Sequence, residues 1–169
     1  MLLTGTEQKL DPQDIIVSKT DLKGRIIYAN DIFLDIAGYN LREILDKPHN
    51  VIRHPLMPRC VFQLLWERLQ FGNEIFAYVV NSTKAEDYYW VLAHVTPSMD
   101  SKGNVTSYHS NRRAPSGAAI AAITPIYEAL VAEEKSHKNA KEGQKAGYRL
   151  LMKTLEEKGV SYDEFVLSL

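Results

Sequence analysis

The chain has 169 residues, 45% of them hydrophobic and 24% charged, with a formal net charge of −1. That is enough chain for one domain with a full apolar core, and the near-neutral balance excludes broad electrostatic binding to nucleic acid or to an anionic membrane surface. The single cysteine, Cys60, excludes an internal disulfide and a cysteine-rich zinc site. A reducing cytoplasm is the expected compartment. No basic segment leads an apolar stretch at the start, so no secretory leader is expected. No apolar run approaches the roughly 20 residues of a membrane span.

Met1–Gln13 is polar and Pro-interrupted, which predicts an arm or short cap. Ile15-Ile16-Val17, a turn at Asp21-Leu22-Lys23-Gly24, and Arg25–Ala29 predict a β-hairpin with Gly24 at positive φ. From Asn30 the apolar period becomes helical, through Ile32, Phe33, Ile36 and Ala37, with Gly38 as the C-cap. Asn40 with Glu43 predicts a capping box on a second short helix, Leu41–Leu45. Pro48 and Pro55 bracket a segment that can hold only a turn of helix. Pro58 then opens a helix with Val61, Phe62, Leu65, Trp66 and Leu69 on one stripe, ended by Gly72.

Ile75–Asn81 and Tyr88–Thr96 read as a strand pair, Pro97–Gly103 as a loop, and Val105–Arg112 as a last strand. Strands at both ends with helices between predict an α+β fold around an antiparallel sheet. After Pro115-Ser116-Gly117 the chain is helix-rich. Pro125 predicts a kink or break. The polar stretch Glu133–Lys145 reads as a solvated helix, a linker or partly disordered chain. Ser161 with Glu164 predicts a final capped turn.

Several runs resemble one family. Thr20–Asn30 resembles the opening of a PAS domain, and Gly38-Tyr39 with Glu43-Ile44 resembles its helix signals. Pro48-His49-Asn50-Val51-Ile52-Arg53-His54-Pro55-Leu56-Met57-Pro58 is similar to a segment of the PAS domains of bacterial aerotaxis and energy-taxis receptors. Phe62, Trp66, Tyr89-Trp90-Val91, Thr96-Pro97 and Tyr108–Arg113 continue the match, which covers roughly Asp14 to Leu130. The resemblance implies a PAS fold: a five-stranded antiparallel sheet with short helices on one face, here with a C-terminal helical extension. It divides the chain into an arm (1–13), a PAS sensor domain (14–113) and the extension (114–169). It implies FAD as a non-covalent cofactor. The family usually carries an acidic residue where this chain has Leu56, which puts one polar contact in question.

The expected cofactor-binding residues are Asn30, Arg53, His54, Phe62, Trp66, Asn81 and Trp90. Arg53 offers a planar fork suited to a diphosphate or a flavin carbonyl, and His54 a donor beside it. Phe62 and Trp66 lie four apart on one helix face and serve either as a ring wall or as plain core. Asn30 suits an N-cap as well as a ligand contact, and Asn81 suits a flavin edge or an edge turn. Tyr89 and Trp90 alternate, so one points inward, in a register the sequence leaves open. His94 and His109 are readable as haem ligands, although a lone strand histidine is more often a satisfied polar residue. Cys60 does not fit the thiol of a light sensor, which sits in an Asn-Cys-Arg-Phe-Leu-Gln run where this chain has His49-Asn50-Val51-Ile52.

No phosphate-cradling glycine loop, metal-spaced histidine pair or nucleophile elbow is present, so an enzyme is not expected. The expected function is a cytoplasmic redox or oxygen sensor that signals in trans to a methyl-accepting chemotaxis-type transducer. A homodimer is compatible with this reading, and no nucleic-acid partner and no direct membrane insertion are expected. The alternatives are a haem-binding gas sensor and a ligand-free dimerisation or adaptor module.

Overall fold

The computed structural model describes residues 5–169. The first four residues of the expected arm lie outside the described residues. Within the arm, Gln8 N–H donates to the Tyr88 carbonyl at 2.7 Å, so the segment runs alongside a strand end.

Strands β1 (Ile16–Thr20) and β2 (Ile26–Ala29) form the expected hairpin. Gly24 sits at φ 75°, and the Asp21 carboxylate accepts from the N–H groups of Lys23 and Arg25. Helices α1 (Asp31–Ala37) and α2 (Leu41–Ile44) follow, then a 3₁₀ turn over His49–Ile52 and helix α3 (Arg59–Gln70). Gly38 ends α1 in the left-handed region at φ 73°, where a side chain would be strained. Both halves of the Asn40–Glu43 capping box are made.

Strands β3 (Ile75–Ser82), β4 (Tyr88–Met99) and β5 (Val105–Arg113) complete a five-stranded sheet in the order β2-β1-β5-β4-β3, antiparallel throughout. β4 runs past the expected loop start and carries Pro97 inside it. Its pairing with β3 stops at Val95, so the missing N–H of Pro97 has no neighbour on that side to leave unpaired.

The register divides the sheet into two faces. Ser18, Ser110, Val95 and Ile75 lie across one another, as do Ile16, Arg112, Ala93 and Ala77, and all point toward α1–α3. The intervening residues, among them Tyr78, Trp90 and Leu92, point to the opposite face.

Helices α4 (Gly117–Ser136), α5 (Ala140–Lys158) and α6 (Tyr162–Leu167) make up the extension. Pro125 does not break α4. The carbonyl that loses its partner belongs to Ala121, and both residues are exposed, so water can satisfy it. α4 lies on the opposite face of the sheet, where Tyr127 Oη donates to the Tyr78 carbonyl at 2.6 Å and its ring stacks on Trp90 at 6.1 Å.

The polar Glu133–Lys145 stretch is a tight helix–turn–helix. Gly143 permits it, because a Cβ there would meet the Glu134 carbonyl oxygen at 2.1 Å. α5 then packs along α3, and one hydrophobic core includes Phe33, Trp90, Tyr127 and Phe165. No helix among the described residues is long and apolar enough to cross a membrane.

Candidate ligand cavity

A cavity of about 410 Å³ lies between α3 and the inner face of the sheet. Its size falls within the range of roughly 300–1,000 Å³ in which small-molecule sites occur. Phe62, Leu65, Trp66 and Leu69 form the α3 wall, and Val79, Ala93 and Val95 the sheet wall. The volume exists because the middle of the sheet carries short side chains here, Ser18, Ala93 and Ser110. Trp66 stands edge-on to Tyr108, with ring centroids 5.3 Å apart. Gly24 lies beneath it, and a Cβ there would come within 3.2 Å of the indole.

The polar groups are of two kinds. At the rim stand Lys23, Asn50, Arg53, Arg59 and Gln144, all exposed or half-buried. On the floor stand Asn81 and Arg112, each only 3% exposed. Arg112 donates through Nε to Ser110 Oγ at 3.1 Å and through Nη2 to Ser18 Oγ and to His49 Nε2, the latter at 2.7 Å. Arginine cannot accept, so His49 must receive that bond on an unprotonated Nε2 and is held neutral. Burial, and then the Arg112 charge, push the His49 imidazole down to about 3.

On the floor, Arg112 Nη1 has no protein partner, and Asn81 Nδ2 has only the Tyr89 hydroxyl beside it. Buried unpaired donors of this kind are costly unless something else accepts from them. Among the described residues no Asp or Glu lines the cavity, whereas Lys23, Arg53, Arg59 and Arg112 all do. The arrangement suits a flat, largely apolar ligand with acceptor atoms on the buried edge and anionic groups at the rim.

Four of the seven residues expected from sequence line this cavity: Arg53, Phe62, Trp66 and Asn81. Arg53 is tied to Asn81 by an antiparallel backbone bridge, which fixes the rim to the floor. The other three lie elsewhere. The Asn30 amide is consumed by structure: Oδ1 accepts from Val17 N–H at 2.9 Å and Phe33 N–H at 3.2 Å, and Nδ2 donates to the Ile15 carbonyl at 2.8 Å. Its N-cap role prevails. His54 is buried outside the cavity with Nδ1 accepting from Leu56 N–H at 3.1 Å, and burial lowers its pKa. Leu56 is buried in the core beside it. Trp90 is on the opposite face, because Tyr89 takes the inward position of the pair.

His94 and His109 also leave the cavity. His94 stacks on Phe76 and meets Glu74 at 2.7 Å, while His109 meets Asn111 at 3.1 Å. The Cys60 thiol lies against Gly147 and Glu134, where burial and the Glu134 charge raise its pKa. Sequence reasoning missed Arg112, His49, Ser18 and Tyr108. The signal was present in Tyr108-x-Ser110-x-Arg112, whose alternation puts all three on one face once the strand is paired.

The PAS fold family model matches residues 26–112. The chain belongs to the PAS fold family. It is 39% identical over 134 residues to the aerotaxis receptor of Escherichia coli (strain K12), a match that covers 79% of this chain and 26% of the receptor. The chain therefore spans about a quarter of that relative's length. Among solved structures it resembles a light-oxygen-voltage domain studied with a flavin analogue, with a TM-score of 0.59, 21% identity, and 68% of this chain and 87% of that chain covered. It also resembles the light state of the blue-light photoreceptor Aureochrome1 LOV, with a TM-score of 0.56, 25% identity, and 72% and 91% covered. These neighbours agree with the PAS-type sheet and its helices.

Proposed function

We propose that this PAS domain holds FAD in the cavity beside α3 and reports redox state to a chemotaxis-type transducer on a separate chain. The observation that carries the reading is the cavity itself, walled by Phe62, Trp66 and aliphatic side chains over a floor where the Arg112 guanidinium has a terminal nitrogen without a protein partner. The likeness to the aerotaxis receptor supports the direction of the output.

The bound flavin supplies reversible electron uptake. The residues do the rest. Phe62 and Trp66 would wall the ring and exclude water. Asn81 Nδ2 and Arg112 Nη1 would orient it by donating to its acceptor edge. Arg53, Arg59 and Lys23 would hold the diphosphate at the rim, where Arg53 can donate two parallel bonds.

A route outward starts at α3. The N–H groups of Arg59 and Cys60 donate to the Glu134 carboxylate at 3.0 and 2.8 Å, so a residue of α4 caps the helix that walls the site. Tyr148 Oη of α5 donates to Glu67 at 3.0 Å on the same helix, and Arg68 pairs with Asp163 of α6 at 2.6 Å. A ligand that favours one seating of α3 would shift how the extension packs, as a change of population. We place the protein in the cytoplasm, with no catalytic role.

Purified protein should be yellow and should release FAD on denaturation. A Soret band would assign haem instead. A colourless protein after reconstitution would leave a ligand-free interaction module.

A further inference from the structure

Arg112 is an unpaired buried cation. It carries a full charge on a residue 3% exposed, yet its side-chain bonds go to two serine hydroxyls and a histidine nitrogen, all uncharged. Its remaining terminal nitrogen, Nη1, has no partner. A buried guanidinium without a carboxylate is expensive, because burial disfavours the charged form.

The groups that face it come from every neighbouring element. β1 gives Ser18, β5 gives Ser110, the 3₁₀ turn gives His49, and α1 gives the Phe33 ring at 5.3 Å. β4 gives Tyr89, whose hydroxyl burial pushes up to about 12. The other charged groups lining the cavity are Lys23, Arg53 and Arg59. None of these supplies a negative charge at neutral pH. Burial brings Arg112 itself down only to about 10, so it stays protonated there. The ligand is left to supply the counter-charge.

Resting on the flavin reading above, we infer that Arg112 is the residue that holds the negative charge the ring gains on reduction, so that the cavity takes up two electrons with one proton. The electrons come from an external reductant, which is dithionite in the experiment below, and the proton comes from solvent. Without a fixed cation, mildly acidic solution delivers a second proton and the reduced ring ends neutral. With Arg112 beside the acceptor edge, the second proton is not needed. Arg112 thus sets which charge state the site prefers, while Asn81 and the walls set the shape.

The test is potentiometric titration of the FAD-loaded full chain with dithionite in mildly acidic buffers at several pH values. Each pH unit is a tenfold change in proton activity, so a two-electron, one-proton couple moves by about 30 mV per unit and a two-proton couple by about twice that. The wild type is expected to show the shallow slope. Arg112→Gln is expected to show the steep one, with a midpoint lower by about 30 mV or more, which is a tenfold or greater loss of preference for the reduced ring. Arg112→Lys, which keeps the charge, is expected to keep the shallow slope.

A steep slope in the wild type overturns the inference even if Arg112→Gln does not fold. A shallow slope in both the wild type and Arg112→Gln overturns it too, and leaves the flavin reading standing. A wild type that takes up no flavin overturns both.

Discussion

One sheet serves two purposes on its two faces. On β4, Ala93 and Val95 face the cavity while Trp90 and Leu92 face the opposite way. The inner face has short side chains. On the outer face Trp90 and Tyr127 stack and the Tyr127 hydroxyl is used, while the Trp90 indole N–H is buried without a partner. The difference is one of filling. Where side chains are large the protein completes its own core, and where they are small and polar it leaves room for something else. A two-residue period is all that separates a ligand wall from a packing surface.

The sharpest way to break that comparison is Trp90→Ala. It should cost about 3–5 kcal/mol by urea denaturation, as loss of a large core aromatic does, while flavin occupancy per folded molecule stays unchanged. Reduced occupancy at full folding would put Trp90 back in the site. Trp66→Ala should do the reverse, losing flavin with a smaller loss of stability.

The extension offers a second test. Gly143→Ala should destabilise by about 3 kcal/mol, because the clash with the Glu134 carbonyl outweighs the gain in helix propensity of about 1 kcal/mol. An equal or higher urea midpoint would mean that the α4–α5 hairpin is not as close as described.

Much of this was legible in the residues. Gly24, Gly38, the Asn40–Glu43 box and the Ser161–Glu164 box stand where local chemistry predicts them, since each is satisfied within a few residues of sequence. Arg53, Phe62, Trp66 and Asn81 share one cavity as expected. What the sequence hid was long-range. The inward choice of Tyr89 over Trp90 depends on pairing with β3, and the role of Arg112 depends on Ser18 and His49, distant in sequence. The Glu134 cap of α3 spans 75 residues, so no local pattern announces it.

Smaller effects sharpen the account of the inner face. Asn81→Ala should weaken flavin binding about tenfold, or roughly 1.4 kcal/mol, in a fluorescence titration. An unchanged affinity would remove the amide from the ligand edge. His49 predicts a pH dependence with a definite sign. Its folded pKa of about 3 lies below the ordinary 6.5, so the unfolded chain binds the extra proton. Its contribution is present in full above about pH 6.5 and falls by up to about 1.4 kcal/mol per pH unit as acid is added toward pH 3. His49→Asn should flatten that part of the stability profile, and an unchanged slope would show the ring is not held neutral. The smallest effect is at Cys60. Its thiol should resist disulfide reagents in the folded protein and react on unfolding, because burial keeps it protonated.

A crystal structure of the chain reconstituted with FAD tests the central claim most directly. The ring should lie between Trp66 and Ala93 with acceptor atoms within hydrogen-bond distance of Asn81 Nδ2 and Arg112 Nη1. Flavin density outside that space, or the same space closed by the protein's own side chains, would contradict the account.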